Sequence, residues 1–226
     1  AFLLITLTAF TQVGRAEDAD PAHPLVRTLS LDSGYVPHLT TNPSMWNLWS
    51  EWNGLGSWIF DTVSQKTLVG NRWVARLLWG LVYPTLWMFP NGSFFVANHE
   101  LGHGSRFAAA GLLPYYSWTG SFEHPTIFSF IGEGFIRYGS GASTTHYTAS
   151  SSRYPSNWTY VIYAGGMNNS QMYAESVENR AEHDPIHFNE VVGYFFAKMD
   201  PFFYALGSVR NGGIGDVIGT LNYWNS

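Results

Sequence analysis

Residues 90–111 read PNGSFFVANHELGHGSRFAAAG, and the pentad His99-Glu100-Leu101-Gly102-His103 at their centre governs how the rest of the chain is read. On a helix, residues four apart lie one turn above each other, so His99 and His103 can offer two imidazole nitrogens to one tetrahedral zinc. Glu100 then faces the open side of the metal, where it takes a proton from the attacking water and passes it to a leaving amine. With eight His in 226 residues the bare pentad arises by chance in about one such chain in a hundred, so its surroundings matter. Pro90-Asn91-Gly92-Ser93 reads as a turn with a capping residue, Phe94 to Ala97 as an apolar lead-in, and Gly111 with Pro114 as the stop. Gly102 and Gly104 would each cost about 1 kcal/mol relative to Ala in an exposed helix, so they predict close approach to a neighbouring backbone.

The composition sets the setting. Charged residues are 12% against a usual value of about 25%, and aromatics reach 17%, including ten Trp and thirteen Tyr. Few charges and many interfacial aromatics suit a protein partly in a bilayer, with lipid among its partners. A mean hydropathy near zero argues against a chain made wholly of spanning helices. The net charge of −5 offers no footprint for nucleic acid. Without Cys, any metal must be held by His, Asp or Glu.

Residues 1–16, AFLLITLTAFTQVGRA, form an apolar run ending in small residues, which reads as the tail of a secretory signal peptide; a partial N-terminal anchor is the alternative. The basic n-region is missing, so the chain reads as a fragment, directed to the export pathway and a membrane. Residues 17–44 are polar and read as an exposed linker, and residues 45–226 as a single metallopeptidase-like domain. Trp46, Trp49 and Trp52 share a helical face that suits either a membrane interface or a core. Trp73 to Phe89 is the strongest spanning candidate, kinked at Pro84. In the 120–150 region, Thr126 to Ile131 and Gly134 to Tyr138 read as strands of a small β-hairpin, followed by a low-complexity loop, GSGASTTHYTASSS. Glu123, His124, Glu133 and His146 have no motif spacing and read as structural. The fold class is thus mainly α: a membrane-associated helical bundle around the HExxH helix, with a β-hairpin insertion.

A third zinc ligand must come from downstream. Glu175, Glu178 and Glu182 share one face of a helix that opens with Ala164-Gly165-Gly166-Met167-Asn168, and Asp216 follows a glycine turn at the start of a short helix. With HExxH in an apolar helix and the Ala-Gly-x-x-Asn element on a later one, the chain resembles membrane-embedded zinc metallopeptidases of the site-2 protease type. That resemblance implies a third ligand from an Asp beyond the element, and Asp216 matches by order, although the usual Leu-Asp-Gly context is absent. Glu178-Asn179-Arg180-Ala181-Glu182 is similar to the Glu-x-x-Ala-Asp element of the HtpX and CAAX-protease group of gluzincins, which implies Glu178 instead. A metzincin is excluded, because Arg106 and Ala109 stand where its Gly and third His would be.

Two functions follow from these residues. The first is a zinc-dependent endopeptidase in or at a membrane, acting on a peptide or protein substrate, with Glu100 as general base and His99, His103 and Asp216 (or Glu178) holding Zn2+. The second is a non-catalytic membrane or envelope protein in which the HExxH helix is structural or binds metal without proteolysis.

Overall fold

The pentad lies in a helix of 27 residues, Tyr83–Ala109. The structure is a computed structural model and describes residues 5–8, 28–31, 42–67, 74, 83–137, 141–147, 158–183, 186, 188–210 and 216–224. In chain order its elements are β1 (Ile5–Thr8), β2 (Thr28–Leu31), α1 (Asn42–Thr67), α2 (Tyr83–Ala109), β3 (Leu113–Trp118), α3 (Ile127–Gly134), β4 (Ala142–Tyr147), α4 (Thr159–Ala181), α5 (Phe188–Arg210) and α6 (Asp216–Trp224). The mainly helical class with a small sheet is as expected. Part of the segment read as a signal peptide, β1, pairs antiparallel with β2 from the segment read as a linker, and the other residues before Asn42 lie outside the described set.

Pro90 does not begin a helix; it sits inside α2. An interior Pro costs about 3 kcal/mol through the lost bond to the carbonyl four residues back. Here that carbonyl belongs to Leu86, an exposed residue. The residues that follow Pro90 outweigh the penalty, since Asn91, Ser93, Phe94, Ala97 and Leu101 are all buried and the Asn91 side chain accepts a 2.7 Å hydrogen bond from Trp49 Nε1. Of the candidate span, Tyr83 to Phe89 open the HExxH helix, with Pro84 at its second residue, and Trp73 and residues 75–82 lie outside the described set. Among the described residues no helix is long and apolar enough to cross a membrane. At the other end α2 stops as expected. Gly111 has φ +77°, Leu112 N–H donates to Phe107 O and Gly111 N–H to Ala108 O, and Leu112 packs on Phe107.

The tryptophan face of α1 belongs to the core. Trp49 is fully buried and stacks on Tyr173 of α4 at 4.1 Å, and Trp52 stacks on Trp87 and Phe94. Helix α2 is central, packing on α1, α3, α4, α5 and both strands of the β3–β4 sheet. Its crossing with α4 is close because both partners are glycines: a Cβ on Gly102 would lie 2.2 Å from Gly165 O, and one on Gly165 would lie 2.7 Å from Gly102 O. Gly104 meets a side chain instead, the Tyr116 hydroxyl. Asn169 ties three helices, its amide donating to Asn98 O at 2.6 Å while its Oδ1 accepts from Trp46 Nε1 at 3.1 Å.

The β-hairpin expectation is right in kind and wrong in its strands. Leu113–Trp118 pairs antiparallel with Ala142–Tyr147, with Leu113 opposite Tyr147. Thr126 to Ile131, read as one strand, instead opens helix α3, because the buried residues there are Ile127, Phe130, Ile131 and Gly134, the helical period rather than alternation. Of Gly134 to Tyr138, read as the other strand, Gly134 ends that helix, 135–137 form the turn after it, and Tyr138 lies outside the described residues. Thr126 caps it, accepting from Ser129 N–H. The run read as a loop supplies strand β4, where Thr144 and Thr145 are β-branched.

Glu133 ties α3 to the turn beyond β3, accepting hydrogen bonds from Ser121, His124 and Arg137. Those from Ser121 and His124, then that from Arg137, hold its carboxyl near about 2 against an ordinary 4.5. A carboxylate with a depressed folded value contributes stability above its unfolded value and loses it as pH falls through the folded one. Titration from about pH 4.5 toward about 2 is therefore expected to loosen the β3–α3 unit first, seen as faster amide exchange around Trp118. Glu133→Gln should remove that acid phase. The opposite result, identical acid profiles for both proteins, would assign the phase elsewhere.

Candidate metal centre

His99 and His103 lie on the face of α2 that meets α4 and α6. Both are buried, as is Glu100. The N-terminus of α6 brings Asp216 onto them. Its Oδ2 is 3.0 Å from His99 Nε2 and 3.1 Å from His103 Nε2, and the two nitrogens are 3.0 Å apart. These three side chains form a group able to hold a metal ion, with ligand atoms all within 4.8 Å of one another. A tetrahedral zinc with bonds of about 2.0–2.1 Å needs ligand atoms about 3.3 Å apart, so the triangle fits to within a few tenths of an ångström.

The hydrogen bonds behind the ligands make the case stronger than distance alone. His99 Nδ1 faces Asp200 Oδ2 at 2.8 Å, and His103 Nδ1 faces the Ile162 carbonyl at 2.6 Å. A carboxylate and a carbonyl only accept, so each Nδ1 carries the hydrogen and each neutral ring turns its Nε2 lone pair inward. Two lone pairs and a carboxylate oxygen then converge, and a cation must sit among them, whether a proton or a metal. For a proton the holder is His99: burial pulls its pKa down, but the hydrogen bonds of Asp200 and Asp216 and the charges of Asp200 and Glu100 outweigh that and raise it to about 10. Asp216 is held far below the usual carboxylate range: burial opposes this, but hydrogen bonds from His103 and His99 prevail. A metal ion would take the place of that proton.

Space for the His99 ring comes from α4. A Cβ on Gly166 would lie 2.3 Å from His99 Nε2, so the glycine pair of the Ala-Gly-x-x-Asn element serves both the helix crossing and the ligand. Tyr204 of α5 stacks on the same ring at 3.9 Å and 4°. Its phenol is kept protonated by burial and by the carboxylates of Glu100, Asp200 and Asp216. The group opens into a cleft of about 370 Å³ lined by Glu100, His103, Phe107, Ala142, Ser143, Thr144, Thr159, Ile162, Tyr163, Tyr204 and Asp216. On its rim the Thr144 hydroxyl is 2.6 Å from Glu100 Oε2 and 2.9 Å from the Glu100 carbonyl, so its single proton goes to one of the two.

Of the two candidate third ligands, Asp216 joins the histidines and Glu178 does not. Glu178 lies 12 residues beyond Gly166, about 18 Å along α4. It accepts from Tyr194 OH at 2.7 Å and pairs with Lys198 at 3.1 Å, and these bonds hold its carboxyl below the usual range. The Glu-x-x-Ala-Glu segment is structural too, since Arg180 pairs with Glu190 at 2.8 Å. Asn168 is exposed, and the buried, hydrogen-bonding asparagine is its neighbour Asn169. Asp200, Thr144 and Tyr204 carry no motif spacing. Only Asp200 has a readable sign, a carboxylate set against the apolar run that fills the second half of α5, which requires a partner when buried. Compared with known proteins, the chain matches no family model, no curated protein and no solved structure.

Proposed function

We propose that the protein is a zinc-dependent peptidase. The observation that carries this reading is the convergence of His99, His103 and Asp216 beside a buried Glu100 at the floor of an open cleft. Two imidazoles and one carboxylate leave a coordination position for water or substrate, the arrangement of a catalytic rather than a closed structural site. The same donor types also suit non-haem Fe(II), but a carboxylate adjacent to the first histidine, aimed at the cleft, is what hydrolysis requires. Zinc, when bound, polarises the scissile carbonyl and lowers the pKa of a water.

The chain's own residues do the rest. Asp216 and the two Nε2 atoms bind the ion. Glu100 takes the proton of the attacking water and returns it to the leaving amine, with the Thr144 hydroxyl fixing its carboxylate. Strand β4 supports a peptide as the substrate. One edge of β3 pairs with β4 and the other bridges His124, so among the described residues β4 is the outer strand, and its Ala142, Ser143 and Thr144 line the cleft. A membrane setting, expected from composition, has one further support: Val191, Phe195, Phe202, Leu206 and Val209 are exposed on α5 at helical spacing, a stripe about 27 Å long.

The test is metal content and its consequence. The purified chain is expected to hold about one zinc, to lose hydrolysis of an unstructured protein such as casein on chelation, and to regain it with zinc. Zinc should also raise the unfolding temperature in proportion to the logarithm of its free concentration. A chain that binds zinc and cleaves nothing would return the non-catalytic reading, and a chain that binds no metal would end both metal readings.

A further inference from the structure

We propose that Asp200 is a positioning residue of the metal centre: its buried carboxylate holds His99 in the tautomer and orientation that aim Nε2 at the ion. This rests on the ligand set of the proposed peptidase and not on its reaction.

Asp200 is fully buried in the middle of α5, with Oδ2 at 2.8 Å from His99 Nδ1. Its Oδ1 is buried with no hydrogen-bond partner among the described residues. A buried carboxylate satisfied on one oxygen only is costly, and replacing it by an apolar residue would ordinarily favour folding. Its one good bond therefore points to what it is for. Without that acceptor, His99 is free to carry its hydrogen on Nε2, where the hydrogen occupies the position the ion needs.

The surroundings hold Asp200 in place. Pro201 next to it lies inside α5 and cannot bond to the Ala197 carbonyl, and that carbonyl accepts from Gln171 Nε2 of α4 at 2.9 Å instead. The break in α5 is thereby fastened to α4, the helix whose Gly166 makes room for the His99 ring. One turn after Asp200, Tyr204 covers the face of the same ring, so a single stretch of α5 supplies both an acceptor at its edge and a plate against its face. At the corresponding Nδ1 of His103 the acceptor is a main-chain carbonyl, which no substitution removes. The sensitivity to side-chain change thus concentrates on His99.

The test uses the full chain, with zinc and cobalt(II) ions alone as probes, and compares wild type with Asp200→Ala and Asp200→Asn. Asp200→Ala is expected to raise the zinc Kd by about 10–100-fold. Asp200→Asn, whose amide oxygen still accepts the Nδ1–H, should recover much of that loss and covers the case in which the alanine variant does not fold. Proton NMR of the cobalt(II)-loaded proteins gives a readout that a purely structural role would not move, because the ion shifts the ring hydrogens of its ligands away from the rest of the spectrum. The His99 Nδ1–H should exchange slowly with solvent in wild type and Asp200→Asn, where an acceptor holds it, and markedly faster in Asp200→Ala. Equal zinc affinity in all three proteins, or an equally protected Nδ1–H in Asp200→Ala, overturns the proposal while leaving the metal centre intact. A wild-type chain that takes up neither ion overturns the ligand set itself, and Asp200's role with it.

Discussion

Glu100→Gln is expected to lower peptide hydrolysis by about 10²–10⁴-fold while zinc content and folding stay at wild-type levels. The substitution keeps shape and volume and removes only the ability to take a proton. Glu100 is no ligand in the group formed by His99, His103 and Asp216, so metal retention follows from the geometry. The local structure should survive as well, because the Thr144 hydroxyl, 2.6 Å from Oε2, can donate equally well to an amide oxygen. The loss should appear in kcat, with KM little changed, since a general base acts in the transition state and adds little to ground-state binding. His103→Ala supplies the contrast: it should lose zinc and activity together. Metal analysis and steady-state kinetics on the two variants separate the roles. Glu100→Gln with near-wild-type turnover would remove Glu100 from the chemistry, and simultaneous loss of zinc would make it a structural part of the site.

The parts of the centre that were legible in sequence are those fixed by local spacing. His99 and His103 are one turn apart on any helix, and Gly102 announces a close contact whatever its partner. Asp216 was reachable only by analogy of order, since nothing between Gly166 and α6 fixes where a residue 50 positions later will return. Spacing could not reveal Asp200, Tyr204 and Thr144, because they reach the site only through the tertiary packing of α5 and β4 against α2. Local pattern misled where two periods compete. Thr126 to Ile131 is rich in β-branched and aromatic residues, yet burial at 127, 130, 131 and 134 made it helix α3. Pro90 misled in the opposite sense: it reads as a boundary, but buried neighbours and the Trp49–Asn91 bond carry α2 through it.

The second large effect concerns the crossing that assembles the centre. Gly102→Ala is expected to destabilise the fold by about 3 kcal/mol or more, the upper end for overpacking, and to lower the unfolding temperature by roughly 6–12 °C. The added methyl would sit 2.2 Å from Gly165 O and 2.7 Å from its carbonyl carbon, and a main-chain group cannot swing aside as a side chain can. Relief requires α2 and α4 to separate, which also moves His99 relative to Gly166 and α6. Zinc affinity should therefore fall with stability. Gly132→Ala is the matched control. It also replaces a helical glycine, but a Cβ there has no atom within 4 Å, so it should be neutral or stabilising by up to about 1 kcal/mol through helix propensity. Denaturant titrations of the two variants decide the matter. If Gly102→Ala proves as harmless as Gly132→Ala, the helices do not meet backbone to backbone at this point, and the placement of His99 over Gly166 falls with the crossing.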